Sequence, residues 1–301
     1  MSTVTLVEHA RLSASLDIPT PELPPKPSGI AQLRTSLSRW LSIPPEDEDL
    51  IDFCLAVYKS HGIPGDPLWG IIIDASGGGK TELLRAFRPL KNTFFLSKLS
   101  ERTLVSGYRD PKNPQDPSLL PKLNGKVLII KDLAPLLSMR RESRNMVIAD
   151  LRDAYDGFTD QGLGNLGHVG YTSRFTLLAA STLAIERSDA VDQELGERFI
   201  KIRARGDGNR KKVEQAICNI GSDDTVRKQI EGTICSFLDA VPAASNMAIP
   251  SAMQGELADL ADFTARARSC VVRNRGGDIQ YVPRPEVGTR LGKELGSCCF
   301  H

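Results

Sequence analysis

The run Gly77-Gly78-Gly79-Lys80-Thr81 gathers the residue types that hold a polyphosphate. Three glycines permit the tight, left-handed backbone that a side chain would obstruct. Amide N–H groups of such a turn, backed by the N-terminus of a following helix, point at phosphate oxygens. In that arrangement Lys80 reaches the β- and γ-phosphates, and the Thr81 hydroxyl binds Mg²⁺. The expected contact set runs from Ser76 through Gly77, Gly78, Gly79, Lys80 and Thr81 to Glu82. The pattern G-x-x-x-x-G-K-[ST] asks for glycine at its first position, where this chain has Asp74. A carboxylate repels phosphates unless Mg²⁺ or a base intervenes. The first loop position tends to face away from the phosphates, so the loop is expected to function with an atypical first residue.

Phosphate chemistry of this kind also needs an acid at the end of a neighbouring apolar strand, to orient hydrated Mg²⁺. The segment "VLIIKDL" supplies Asp132. In many ATPases a glutamate follows that aspartate and polarises the attacking water. Here Leu133 follows and Lys131 precedes. Asp132 therefore either holds the metal or takes the water-activating place, with Lys131 displacing the metal acid. Glu82, Glu142 and Asp156 are the acids that could substitute, each read first as a solvated or ion-paired surface residue.

These residues need a strand before the loop and a helix after it. "LWGIIID" is short, apolar and rich in β-branched residues, as a buried strand is. "KTELLRAF" resumes helical spacing. "NTFFLSKL", "KVLIIKDL", "RFTLLAAST" and "RFIKIRA" are further strands, and "RESRNMVIADLRDAY" is a helix. Alternation of strands with helices predicts an α/β fold, a parallel sheet sandwiched by helices. Upstream, "IAQLRTSLSRWLSI" is a short amphipathic helix. Pro44 and Pro45 then lead an acidic first turn into a second helix with Leu50, Ile51, Cys54, Leu55 and Tyr58 at helical spacing. Residues 156 to 173 are glycine-rich and polar, and a protruding hairpin is expected there. The predicted organisation is a Ser/Thr/Pro-rich extended arm over 1–28, a nucleotide-binding core with N-terminal helices over 29–206, and a helical lid over 207–301.

In this order the parts resemble an AAA+ P-loop ATPase core from about Leu68 to Arg203. Several details are similar to the MCM-like branch and to related ATPases of phages and other mobile elements. "DPSLLPKLNGKVLIIKDLAPLLSM" looks like that branch's approach to its metal-holding strand. "FTLLAAST" resembles the sensor-1 strand, which implies that Ser181 or Thr182 positions the water near the γ-phosphate. The glycine-rich stretch 156–173 lies where the branch inserts a hairpin that touches DNA in the helicases' central pore. "ELGERFIKI" is similar to the arginine-finger segment and puts Arg198 in that role, acting on a neighbouring subunit's nucleotide. Its structural alternative is an ion pair with Glu194, Glu197 or another acid. "VGTRLGKEL" resembles the lid helix and offers Arg290 as sensor 2, with Arg266 and Arg268 competing. The resemblance implies ATP and Mg²⁺ as cofactors and a homo-oligomeric ring or filament. It also implies hydrolysis that drives remodelling or translocation of DNA or a DNA-bound complex. The lid is expected to stop short near Phe300.

Bulk properties narrow the classes. The chain has 301 residues, 41% hydrophobic and 25% charged, with a formal net charge of +1. That balance favours neither nucleic acid nor membrane, so DNA contact requires a local patch. The dense basic runs are Met139–Arg144 and Arg203–Lys212, each read first as a solvated face. His168 and Tyr171 in the glycine-rich stretch could stack on bases, although an ordinary turn is the simpler reading. The six cysteines lack the C-x-x-C spacing of zinc sites and read as reduced thiols of a cytoplasmic protein. The opening residues have no secretory pattern, and no apolar run approaches membrane-spanning length. Two further functions stay open. One is an ATP-binding regulatory or assembly module with little turnover. The other is a small-molecule kinase, which the sensor-1 and "GERF" order disfavours.

Overall fold

The computed structural model describes residues 29–106, 116–163, 167–187, 198–206, 209–242, 249–268, 271–274, 276–282, 284 and 287–298. The expected arm, Glu194, Glu197 and the end near Phe300 lie outside the described residues.

Helix α1 (Ile30–Leu41) buries Leu33 and Leu37. A 3₁₀ turn over Pro45–Asp47 leads into α2 (Asp49–Lys59). The acidic residues Asp49 and Asp52 suit the positive end of the α2 dipole. Strand β1 (Trp69–Ile73) is buried throughout, and α3 (Lys80–Arg85) follows the glycine loop. Then come β2 (Thr93–Leu96), α4 (Leu120–Leu123), β3 (Val127–Ile130), α5 (Ala134–Leu137) and α6 (Arg141–Tyr155). Strands β4 (Phe158–Leu163) and β5 (Gly167–Thr172) pair as the hairpin expected from the glycine-rich stretch. Strands β6 (Thr176–Ser181) and β7 (Ile200–Arg203) complete the main sheet. The rest is mostly helical, as expected, but not wholly so: the helices are α7 (Asn209–Cys218), α8 (Asp223–Ala240), α9 (Ser251–Arg268) and α10 (Thr289–Cys298). The short pair β8 (Val272–Arg273) and β9 (Ile279–Tyr281) lies between the last two helices.

The fold is α/β, with a five-stranded sheet of order β2-β3-β6-β1-β7. Every pairing in it is parallel. Helices cover both faces, and strand alternation sorts the core between them. Trp69, Ile71, Ile73, Leu128 and Ile130 face α4, α5 and α6. Ile72, Ile129, Leu178 and Ala180 face a layer built from α1, α2, α3 and α8. Helix α8 contributes Val226, Ile230, Ile234 and Leu238 to that second layer, so helices beyond residue 206 share apolar packing with the sheet. Helix α2 approaches β1 closely at Gly70. A Cβ there would sit 2.7 Å from Phe53 Cζ and 2.8 Å from Val57 Cγ2. Among the described residues, no helix is long and apolar enough to cross a membrane.

Candidate functional site

In a parallel sheet all strands end on one side, and ligands bind in the crevice beyond those ends. The register decides which residues meet there. Ile73 lies opposite Ser181 in β6, and Asp74 N–H continues the pairing by donating to Ser181 O at 3.3 Å. Ile130 lies opposite Ala179, and Leu133 N–H donates to Ala180 O at 2.8 Å. Asp132 therefore emerges beside Ser181, with β6 between it and the loop that follows β1.

The loop has the backbone that its glycines foretell. Gly77 and Gly79 lie at φ 81° and 93°, in the left-handed region that side chains rarely adopt. Lys80 opens α3 and folds back over the loop. Its Nζ donates to Asp74 O at 2.8 Å and to Ala75 O at 2.6 Å. Burial pushes this ammonium below the ordinary lysine range. Asp74 and Asp132 oppose that shift, and Lys212 adds to it. Asp132 Oδ1 accepts from Ala134 N–H at 2.8 Å, which caps the first turn of α5. Ser181 is fully buried, and its Oγ has no hydrogen-bond partner among the described residues. A buried, unpaired hydroxyl at the carboxyl end of a central strand is costly unless something else engages it. Thr182 is half-buried, and its carbonyl accepts from Ile185 N–H at 3.1 Å.

No family model and no curated protein matches this chain.

The remaining sequence candidates lie elsewhere or serve as ties. Glu82 pairs with Arg85 at 3.1 Å and with Arg227 of α8 at 3.0 Å, which fastens α3 to the C-terminal helices. Glu142 is exposed in the first turn of α6. Arg198 and Arg290 come together, but at the amino ends of the strands rather than beside Lys80. Their guanidinium carbons lie 5.7 and 5.5 Å from the centre of the Tyr155 ring. Tyr155 packs edge-on against Trp69, the first residue of β1, at 5.2 Å. Arg198 also pairs with Asp156 at 3.3 Å, which is the ion-pair alternative, with an acid other than Glu194 and Glu197. Arg266 pairs with Asp262 on α9 at 2.7 Å. In the hairpin, Tyr171 OH is tied to Asp116 and Ser118, and His168 faces Asp160. Most cations of the run 203–212 are also paired: Arg203 with Glu186, Arg205 with Asp49 and Arg210 with Glu214.

Sequence reasoning counted Lys212 only as the end of a basic run and missed its contact with the glycine loop. Its Nζ donates to Gly78 O at 3.2 Å, across 134 positions of chain. It also overlooked Asp47, fully buried, which accepts from Arg205 N–H at 2.6 Å and Gly206 N–H at 3.1 Å. No short-range signal marks the contacts of either residue, because only the folded chain makes them. Beside the loop lies an open pocket of about 230 Å³, lined in part by Trp40, Gly77, Gly79, Gln215 and Asn219.

Proposed function

We propose that this chain binds a nucleoside triphosphate, ATP in the first instance, at the loop 74–81 and hydrolyses it. The observation that carries the reading is the convergence of a left-handed glycine loop, Lys80, Asp132 and the unpartnered Ser181 hydroxyl at the carboxyl end of one parallel sheet. Main-chain amides around Gly77 to Thr81 and the start of α3 would face the phosphates. Lys80, bound to two main-chain carbonyls, would exchange them for phosphate oxygens of higher charge. The donors suit Mg²⁺, which prefers oxygen ligands and keeps several waters. Thr81 supplies a hydroxyl, and Asp132 keeps one carboxylate oxygen beyond its bond to Ala134. Bound there, Mg²⁺ would neutralise charge developing on the phosphates. Ser181 would hold the attacking water, with Thr182 next to it. The pocket beside the loop would take the nucleoside, with Trp40 as an aromatic wall and Gln215 and Asn219 as amide groups for the base.

The AAA+ resemblance adds a homo-oligomeric ring or filament, with remodelling or translocation of DNA or a DNA-bound complex as the work done. Arg198 would have to leave Tyr155 and Asp156 to reach a neighbour's nucleotide. A second reading, an ATP-held assembly module with little turnover, is favoured by one observation. Leu133, where many such ATPases have a catalytic glutamate, is 2% exposed and packed into the core.

Calorimetry with Mg-ATP, combined with phosphate release measured with and without DNA, separates the readings. Lys80→Ala is expected to weaken binding by about a hundredfold, as loss of a buried charge contact does. Asp132→Ala is expected to spare most binding and abolish turnover. If both variants release phosphate at the wild-type rate, the hydrolytic reading is wrong. Tight binding with negligible release by the wild type selects the assembly module.

A further inference from the structure

Asp74 is the residue at odds with the loop it opens, and Lys212 is the side chain that meets it. Both are nearly closed from solvent, at 12% and 13% exposed, and Lys212 Nζ lies 3.9 Å from Asp74 Oδ2. The carboxylate does not turn away from the loop. A Cβ on Gly78 would fall 1.8 Å from Asp74 Oδ2, and Asp74 Oδ1 accepts from Ala75 N–H at 2.6 Å. A negative charge therefore lies against the middle glycine, among the amides that a polyphosphate would use. At partial burial an unpaired carboxylate there would oppose the ligand strongly, and an adjacent ammonium cancels much of that field.

The fold brings Lys212 to this position by a short, fastened route. Strand β7 runs alongside β1 up to the loop, where Ala204 N–H donates to Ile73 O at 2.9 Å. The next two amides, of Arg205 and Gly206, donate to the buried Asp47 carboxylate. Gly206 is required for this approach, because a Cβ would meet Pro44 Cγ at 2.5 Å and Asp47 Oδ2 at 2.9 Å. Helix α7 starts at Asn209, so Lys212 projects from its first turn onto Gly78 O and Asp74.

We infer that Lys212 is a positioning residue whose ammonium neutralises Asp74, so that an aspartate can occupy the glycine position of a phosphate-binding loop, with α7 thereby coupled to nucleotide binding. The inference rests on the nucleotide-binding reading above. The test is a double-mutant cycle on the full chain, titrated with Mg-ATP by calorimetry. Lys212→Met keeps the stem and removes the charge; Asp74→Asn keeps the shape and removes the charge. Lys212→Met is expected to weaken binding by about tenfold to a hundredfold. Asp74→Asn is expected to bind at least as tightly as the wild type. The double variant is expected to return to within about threefold of Asp74→Asn, and Lys212→Arg to stay near wild type. Lys212→Gln provides the same comparison if the methionine chain does not fold. A double variant as weak as Lys212→Met overturns the inference, since Lys212 would then act on the phosphates directly or only brace the helix. Unchanged binding by Lys212→Met also overturns it. A wild-type chain that gives no heat overturns the nucleotide reading, and this inference with it.

Discussion

The two ends of β1 carry similar chemical groups and use them in opposite ways. At the amino end, Trp69 is packed by Tyr155, Phe175 and Phe199 at ring separations of 5.2 to 5.4 Å, and its indole N–H donates to Phe175 O at 2.9 Å. Arg198 and Arg290 lie over Tyr155, whose hydroxyl donates to the buried Glu294 at 2.7 Å. Burial, reinforced by Glu294, pushes the Tyr155 hydroxyl well above the ordinary tyrosine range, so it stays a donor at physiological pH. At the carboxyl end, Lys80 rests on main-chain carbonyls that a stronger anion can replace, and Ser181 Oγ is buried with no partner among the described residues. Arginines and acids mark both ends. At the amino end the arginines are held by Tyr155 and Asp156, whereas at the carboxyl end Lys80 is held by main-chain carbonyls. Density of charge is therefore a poor guide to a site, and a cation held by main-chain carbonyls that a stronger anion can replace is a better one.

This contrast can be broken at several points. The largest effect is expected from Trp69→Ala, which empties a fully enclosed aromatic position and should cost about 3–5 kcal/mol in a denaturant titration. A loss under 1 kcal/mol would mean that the amino end is not the tightly packed region described. Tyr155→Phe removes the donor to a carboxylate that is 2% exposed and should cost about 1–3 kcal/mol. An unchanged unfolding midpoint would show that Glu294 is held by other groups. The smallest effect belongs to Ser181→Ala, which removes a hydroxyl with no partner. Stability without nucleotide should change by less than about 0.5 kcal/mol, or rise, while phosphate release falls. A destabilisation matching that of Tyr155→Phe would place Ser181 among the structural hydroxyls and erase the distinction.

Local elements were legible because their signals are local. The β-branched run before Asp74, the apolar "VLII" of β3 and the 3.6-residue spacing of α6 each declare a conformation without reference to the rest of the chain. The hairpin over 158–172 announced itself through glycine and polar residues. Arg198 illustrates the limit. Its motif suggested a role toward another subunit, yet its side chain is 10% exposed, beside Tyr155 at the end of α6. Arg203, Arg205 and Lys212 read as one basic run, but each meets a different acid from another part of the fold. A linear run of charge carries no record of the acids that folding brings to it.

The amino-acid sequence by itself determined the strands of the main sheet, the glycine loop and the chemical identity of Lys80, Thr81 and Asp132, because periodicity and backbone freedom are properties of neighbouring residues. Tertiary structure alone decided that Asp132 and Ser181 emerge side by side, through the parallel register of β3, β6 and β1. It alone decided that Lys212 meets Asp74 while Arg198 and Arg290 settle at the far end of the sheet. Such pairings depend on strand order and helix packing, which are set by burial of the whole apolar surface at once and leave no mark at any single position in the chain.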